Sequence, residues 1–424
     1  MSIVEGLLQD VALPRMIRVR QNFAVMTCPD VAAAVRAECR KPAIAGRIRP
    51  GARVAVAVGS RGVADLPILV RTVVEELRAQ GAIPFAVPAM GSHGGATAAG
   101  QVDLLAGLGV TEASVGCPIV SSMETVRLGT MAGTGLPVLM DRHAMGADGI
   151  VVINRVKPHT SFSGPIESGL VKMITIGLGK QKGADSCHSL GFGQMARNIV
   201  AMAEIKLREA PFLFGLASIE NAYDRVARVV AVPAEDILAA EPQLLVEARA
   251  NMPRIQFNPL DVLVVDRMGK EYSGAGMDPN ITGRGDTPFV KMTQSVASMA
   301  VLDLSEISHG NASGMGLAEV CTRRLFDKVD FETTYANATT AAVLAGARIP
   351  VIMESDRAAV QLAVRTCACP DMSKLRLVRI KNTLHLETIL ISEAMLHEAL
   401  GNPDISVLGP AEDWGFDERG SLLG

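Results

Sequence analysis

The chain has 424 residues, of which 49% are hydrophobic and 20% charged, with a formal net charge of -3. That balance excludes a disordered chain, and so weak a negative charge gives no electrostatic pull toward nucleic acid or an anionic membrane surface. The length exceeds one ordinary core, so two domains are expected; aromatics at 4% make their interiors aliphatic.

The opening MSIVEGLLQDVALPRM lacks a positive start followed by a long apolar run. No later apolar stretch reaches the roughly 18 residues of a membrane span, and a cytoplasmic enzyme is the expectation. Next, VAVAV (54–58) reads as a buried strand, and Leu66 to Gln80 carries Leu66, Leu69, Val73, Val74 and Leu77 at helical spacing before Gly81. FAVP (85–88) is a short strand, followed by a Gly-rich turn and a helix over Ala98 to Leu108. GIVVI (149–153) is a third strand. Met195 to Glu209 and Ala234 to Ala250 read as helices, and VLVVD (262–266), MAVLDL (299–304) and RIPVIME (348–354) as strands.

This alternation predicts an α/β chain of two domains, with Rossmann-like parallel or mixed sheets flanked by helices. The polar, proline-bearing NMPRIQFNP (251–259) suggests a break, giving domains 1–255 and 256–424, with an active site in the cleft between them. Seven cysteines, odd in number and scattered, form no disulfide framework. Cys367 and Cys369 lack the two-residue gap of a zinc knuckle and read as buried or turn cysteines.

Of five chemically able residues, four fall at strand ends or in the loops that follow them. GSRG (59–62) follows a strand and precedes a helix, so its amides and Arg61 suit an anion; an exposed turn arginine is the plainer reading. GSHGGAT (91–97) sets His93 among glycines, with little side-chain cover from its neighbours, and without the lysine of a P-loop. The segment from Asn154 to His188 is rich in Gly and Lys and holds two histidines, a composition that favours wrapping a ligand. In it, Pro158 forces an extended approach to His159. Lys172 sits in the apolar turn SGLVKM, where burial favours its uncharged, nucleophilic form. His188, beside Cys187, suits a soft metal.

In order and spacing these segments resemble the lactate racemase family, whose members use a nickel-pincer nucleotide. That family joins a turn ending in Thr-Arg, a Gly-x-His segment, a Pro-His segment running into Ser-Gly-Gly-x-Lys, and a His about sixteen residues on. The counterparts here are GSRG with Arg61, GSHGGAT with His93, KPHTSFSG with His159, ESGLVKM with Lys172 and CHS with His188, the last interval being sixteen residues. DPNITGRG (278–285) and SHGNASGMG (308–316) also look like segments of that family.

The resemblance implies a racemase or epimerase of small 2-hydroxy acids, lactate- or malate-like. Lys172 would tether the nucleotide through a thioamide and His188 would ligate nickel. His93 and His159 would be the acid/base pair, Arg61 would hold the substrate carboxylate, and Lys270 or Arg284 would add a second cation. Hydride transfer suits such a reaction, since a carboxylate opposes forming a carbanion beside it, and neutral imidazole suits a proton that moves both ways.

Departures accompany the likeness. His159 to Lys172 spans thirteen residues where the family has ten, and the Gly-Gly before the lysine has become Ser168-Gly169-Leu170-Val171. A branch that lost the nucleotide would turn to a divalent ion such as Mg2+ and direct abstraction of the α-proton, with Glu167 and His309 as candidate ligands or bases. A third reading is a nucleotide-binding protein without racemase activity. Lys157, Lys180 and Lys182 add cations that suit a dicarboxylate or form a solvated loop face. The expected partners are the substrate and the enzymes that make the cofactor, with an oligomer left open.

Overall fold

A computed structural model describes residues 3–60 and 62–423, so Arg61 lies outside the described residues. The fold is α/β. In chain order its strands are Met16–Gln21 (β1), Arg53–Val58 (β2), Ile83–Pro88 (β3), Thr125–Thr130 (β4) and Pro137–Asp141 (β5). Gly149–Arg155 (β6), Phe212–Glu220 (β7), Val226–Pro233 (β8), Leu260–Val265 (β9) and Val296–Val301 (β10) follow. The last are Val320–Thr322 (β11), Val351–Met353 (β12), Leu377–Ile380 (β13), Thr388–Ser392 (β14) and Ile405–Glu412 (β15).

Packing divides the chain into two units, Val25–Met252 and Met1–Ala24 with Pro253–Gly424. The sequence reading assigned the first 24 residues to the N-terminal domain; here they belong with the C-terminal part of the chain. The reason is strand pairing, because β1 lies between β14 and β15 and is antiparallel to both. Gln21 strengthens the link: its Nε2 donates to Leu386 O at 2.7 Å and Arg254 O at 3.1 Å, and its Oε1 accepts from Gln256 N at 2.8 Å.

In the unit Val25–Met252, five strands form one sheet in the order β3-β2-β6-β7-β8. The first four are parallel and β8 is antiparallel to β7. Both faces are covered, which explains why VAVAV is apolar throughout rather than alternating. Val54, Val56 and Val58 enter one core with the helix Leu66–Ala79, while Ala55 and Ala57 enter another with Met195–Glu209 and Ile237–Asn251. Each fully buried Val or Ile adds about 1.5–3 kcal/mol to this packing. The parallel strands β2, β3 and β6 are neighbours, so the segments leaving their carboxyl ends, from 59, 89 and 156, emerge along one edge of the sheet.

The other unit holds an eight-stranded sheet, β12-β11-β10-β9-β13-β14-β1-β15. Its first five strands are parallel and its last three antiparallel. All seven cysteines are free; Cys367 is buried and Cys369 half-buried at the end of the helix Asp356–Thr366. No helix among the described residues is long and apolar enough to cross a membrane.

Candidate active site

The segment following β6 is buckled by a carboxylate. Glu167 is buried, its Oε2 accepts from His159 N at 2.7 Å, and its Oε1 accepts from Gly164 N at 2.8 Å and from Arg249 Nη2. These contacts hold the turn that carries His159 and engage both oxygens. The role of metal ligand or base that the sequence suggested for Glu167 therefore conflicts with its geometry.

His159 is half-buried, with its ring 4.4 Å from that of Phe162 and 6.0 Å from that of Phe192. Its Nδ1 accepts from Ser161 N at 3.0 Å, and its Nε2 lies 2.6 Å from Lys172 Nζ. Lys172 ends a short α-helix, Leu170–Lys172, that runs into a π-helical turn, Met173–Gly177. π-Turns leave backbone groups out of the usual ladder and gather at functional sites. Here Lys206, almost fully buried, takes up the slack by donating to Ile174 O at 2.9 Å and Thr175 O at 2.8 Å. Burial lowers the Lys206 amine to about 7.

The start of the same helix meets a second buried charge. Glu241 reaches in from Ile237–Asn251, and its Oε2 accepts from Val171 N at 2.9 Å. Its Oε1 is buried without a hydrogen-bond partner, and desolvation pushes the carboxyl up to about 7. Gly169 is required at this contact, since a Cβ there would fall 2.5 Å from Glu241 Oε1. Asn154, at the end of β6, ties the strand to the helix by donating to Gly169 O at 2.8 Å.

His188 closes the following helix, Lys180–His188. Its Nδ1 lies 2.7 Å from Ala184 O, so the ring proton sits there and Nε2 keeps its lone pair for a ligand. Burial lowers its pKa, and a positive charge on Lys172 would lower it further. Phe192, edge-on to His188 at 5.8 Å and facing His159, joins the two imidazoles into one cluster.

His93, half-buried after β3, has its Nδ1 bonded to Ser60 Oγ from the segment after β2. Two ties link its loop to the lysine-bearing helices. Gly91 N donates to Gly177 O at 3.1 Å, and Gln101 donates to Gly91 O and His93 O while its Oε1 accepts from Lys180 Nζ at 2.9 Å. Lys180 is fully buried and ion-paired with Asp141 at 3.2 Å, which corrects its reading as a substrate-facing or solvated cation; Lys182 is exposed. Lys157 is half-buried, and its backbone N donates to Ser168 O at 2.7 Å.

Three of the named residues, Lys270, Arg284 and His309, belong to the other unit. Lys270 Nζ donates to Gly274 O at 2.9 Å. Arg284 pairs with Glu319 at 3.0 Å and donates to Ala297 O at 2.9 Å. His309 is exposed in a left-handed conformation with φ of 46°.

Ser60, Glu241, Lys206 and Phe192 escaped the sequence reading. A signal existed for two of them: Glu241 follows Ile237 by four and precedes Leu244 and Leu245 by three and four, and Lys206 continues Ile199, Met202 and Ala203 at the same spacing. A charge on the apolar stripe of a helix must be paired inside the protein.

Among solved structures, the chain is similar to the lactate racemase apoprotein from Thermoanaerobacterium thermosaccharolyticum, with a TM-score of 0.50 and 13% identity over 80% of this chain and 87% of that one. A protein from Thermotoga maritima aligns with a TM-score of 0.49 and 15% identity over 66% of this chain and 72% of that one. No protein-family model and no curated protein sequence matches the chain. The likeness to the racemase apoprotein is one of fold: this chain is lactate-racemase-like in architecture.

Proposed function

We propose that this protein is a racemase or epimerase of small 2-hydroxy acids, lactate- or malate-like, in which His93 and His159 exchange protons with the substrate hydroxyl. The observation that carries the reading is the 2.6 Å contact between Lys172 Nζ and His159 Nε2, with His188 grouped beside it through Phe192. The shared fold supports it.

The residues fit a nickel-pincer nucleotide. Among the described residues no group of three or more His, Cys, Asp or Glu is placed to hold a metal ion, so a metal here needs a ligand that brings most of its own donors. His188 Nε2 is available as the single protein donor, and Lys172 as the amine that forms the tether. When bound, the nucleotide would supply a hydride acceptor for the substrate carbon.

Nδ1 of His159 accepts from the Ser161 N–H and Nδ1 of His93 is bonded to the Ser60 hydroxyl, so each ring would meet the substrate proton through Nε2. In the unmodified chain Lys172 occupies Nε2 of His159. On acylation Lys172 would no longer offer an amine lone pair to the Nε2 proton of His159, which would free that proton for the substrate. One imidazole would take the hydroxyl proton as the substrate carbon becomes planar, and the other would return a proton to that oxygen as the opposite configuration forms. Arg61 is the proposed partner of the substrate carboxylate.

The test is the intact mass and nickel content of the chain co-expressed with cofactor-making enzymes, with racemisation of an α-deuterated 2-hydroxy acid. Added mass on Lys172, stoichiometric nickel and racemisation with deuterium retained support the proposal. Racemisation with deuterium washed out into solvent would replace hydride transfer by proton abstraction, and no turnover of any 2-hydroxy acid by the loaded chain would end it.

A further inference from the structure

We infer that the unmodified chain has a second capability at the same site: Lys172 condenses with 2-oxo acids to form an imine, with His159 moving the protons. Its substrate class rests on the 2-hydroxy acid reading; the amine chemistry does not.

Hydrogen-bond accounting carries the argument. A backbone N–H can only donate, so Nδ1 of His159 is the acceptor in its 3.0 Å bond from Ser161. The proton of the neutral ring is then on Nε2, 2.6 Å from Lys172 Nζ. Two donors facing each other at that distance repel, so Nζ must accept through its lone pair, and Lys172 is held as an amine. That is the nucleophilic form of lysine.

Two other lysines of the same unit make the contrast. Lys180 donates to Pro88 O at 2.5 Å and Gln101 Oε1 at 2.9 Å, and Lys206 donates to Ile174 O and Thr175 O. Both use their N–H groups as donors and both are buried to 1% exposure or less. Lys172 differs in being half-buried and in accepting.

The chemistry balances without a redox partner. The Nζ lone pair forms a bond to C2 of the oxo acid, and the electrons of the carbonyl π bond move to oxygen, which takes the Nε2 proton of His159. The nitrogen, now positive, returns a proton to Nε2 and leaves a carbinolamine. Departure of the hydroxyl, protonated from Nε2 of the same imidazole, releases water; the remaining nitrogen proton passes to Nε2, which restores the neutral ring and gives the neutral imine.

The full-length chain, expressed without cofactor-making enzymes, is incubated with pyruvate or with propanal in the presence of cyanoborohydride, and its peptides are mapped by mass. Reduced adducts are expected on Lys172 with both reagents, ahead of the exposed Lys182 and Lys374. Lys172→Arg, which keeps a long basic side chain but no nucleophilic amine, abolishes that adduct, and His159→Gln slows it roughly 100-fold, the scale of general acid/base assistance. Labelling of surface lysines with Lys172 untouched in the folded wild-type chain overturns the inference and leaves the racemase proposal standing. An adduct at Lys172 with propanal but not pyruvate overturns the 2-oxo acid assignment and, with it, the substrate class.

Discussion

Two buried charges beside the lysine-bearing helix oppose each other in their effect on stability. Glu241 has an ordinary value of 4.5 and is raised to about 7 by burial. The folded chain therefore binds more protons than the unfolded chain between those values, and the contribution of Glu241 is full below pH 4.5 and lost as pH rises through 7. Lys206 is depressed from 10.5 to about 7, so its contribution is present above pH 10.5 and lost as pH falls to 7. Near neutrality neither group helps. Glu241→Gln should accordingly gain on the wild type as pH is raised from 5 to 8, by up to about 3 kcal/mol, and Lys206→Met should do the same as pH is lowered from 10 to 7. Urea unfolding across those ranges measures both, and a variant whose difference from wild type is flat with pH would show that the group does not titrate there. A second residue bears on the proposed racemase: Ser60→Ala removes the hydroxyl at His93 Nδ1, and on that proposal should reduce kcat/KM for racemisation roughly tenfold with little change in melting temperature.

At the scale of elements, close backbone approach joins the His93 loop to the lysine-bearing helix. A Cβ at Gly177 would fall 2.6 Å from Ala89 O and 2.5 Å from Met173 Sδ. Met173 can bend away but the carbonyl of Ala89 cannot, so Gly177→Ala should push the loop off the helix and destabilise the chain by about 1–3 kcal/mol. Denaturant midpoints, read with Lys172 labelling, check this; a variant unchanged in both would show that the approach is not needed. Helices and strands with a local period were legible: Met195–Glu209 runs between the residues read from sequence, and β2, β3, β6 and β9 overlap the apolar runs that announced them. The sequence reading singled out the histidine and lysine positions from their glycine-rich surroundings; the structure groups His159, Lys172 and His188 and ties the His93 loop to the lysine-bearing helix. What stayed hidden depends on contacts remote in sequence. The segment 170–188 is helical although its charges suggested a loop, because Glu241, Lys206 and Gln101 meet its buried polar groups from other helices. Glu167, read as a candidate metal ligand or base, is engaged by backbone amides and by Arg249.

For the whole molecule, the order of residues in the chain and the order of packing disagree at the N-terminus, and the disagreement makes a prediction about independent folding. Residues 25–252 contain a five-stranded sheet with both faces covered, together with His93, His159, Lys172 and His188. Residues 253–424 lack the strand that separates β14 from β15. That strand, β1, buries Met16, Ile17 and Val19 to 5% exposure or less, and at about 1.5–3 kcal/mol each its loss removes roughly 5 kcal/mol or more, comparable with the net stability of a domain. Without it β15 has no partner and β14 becomes an exposed edge, an arrangement prone to aggregation. A fragment of residues 25–252 should therefore melt cooperatively on its own. A fragment of 253–424 should not, until residues 1–24 are joined to it through a short linker or added as a peptide. Calorimetry of the three species decides the matter. A cooperative transition in 253–424 alone, unmoved by the peptide, would mean that β1 is an accessory strand and that the two ends of the chain do not share one core.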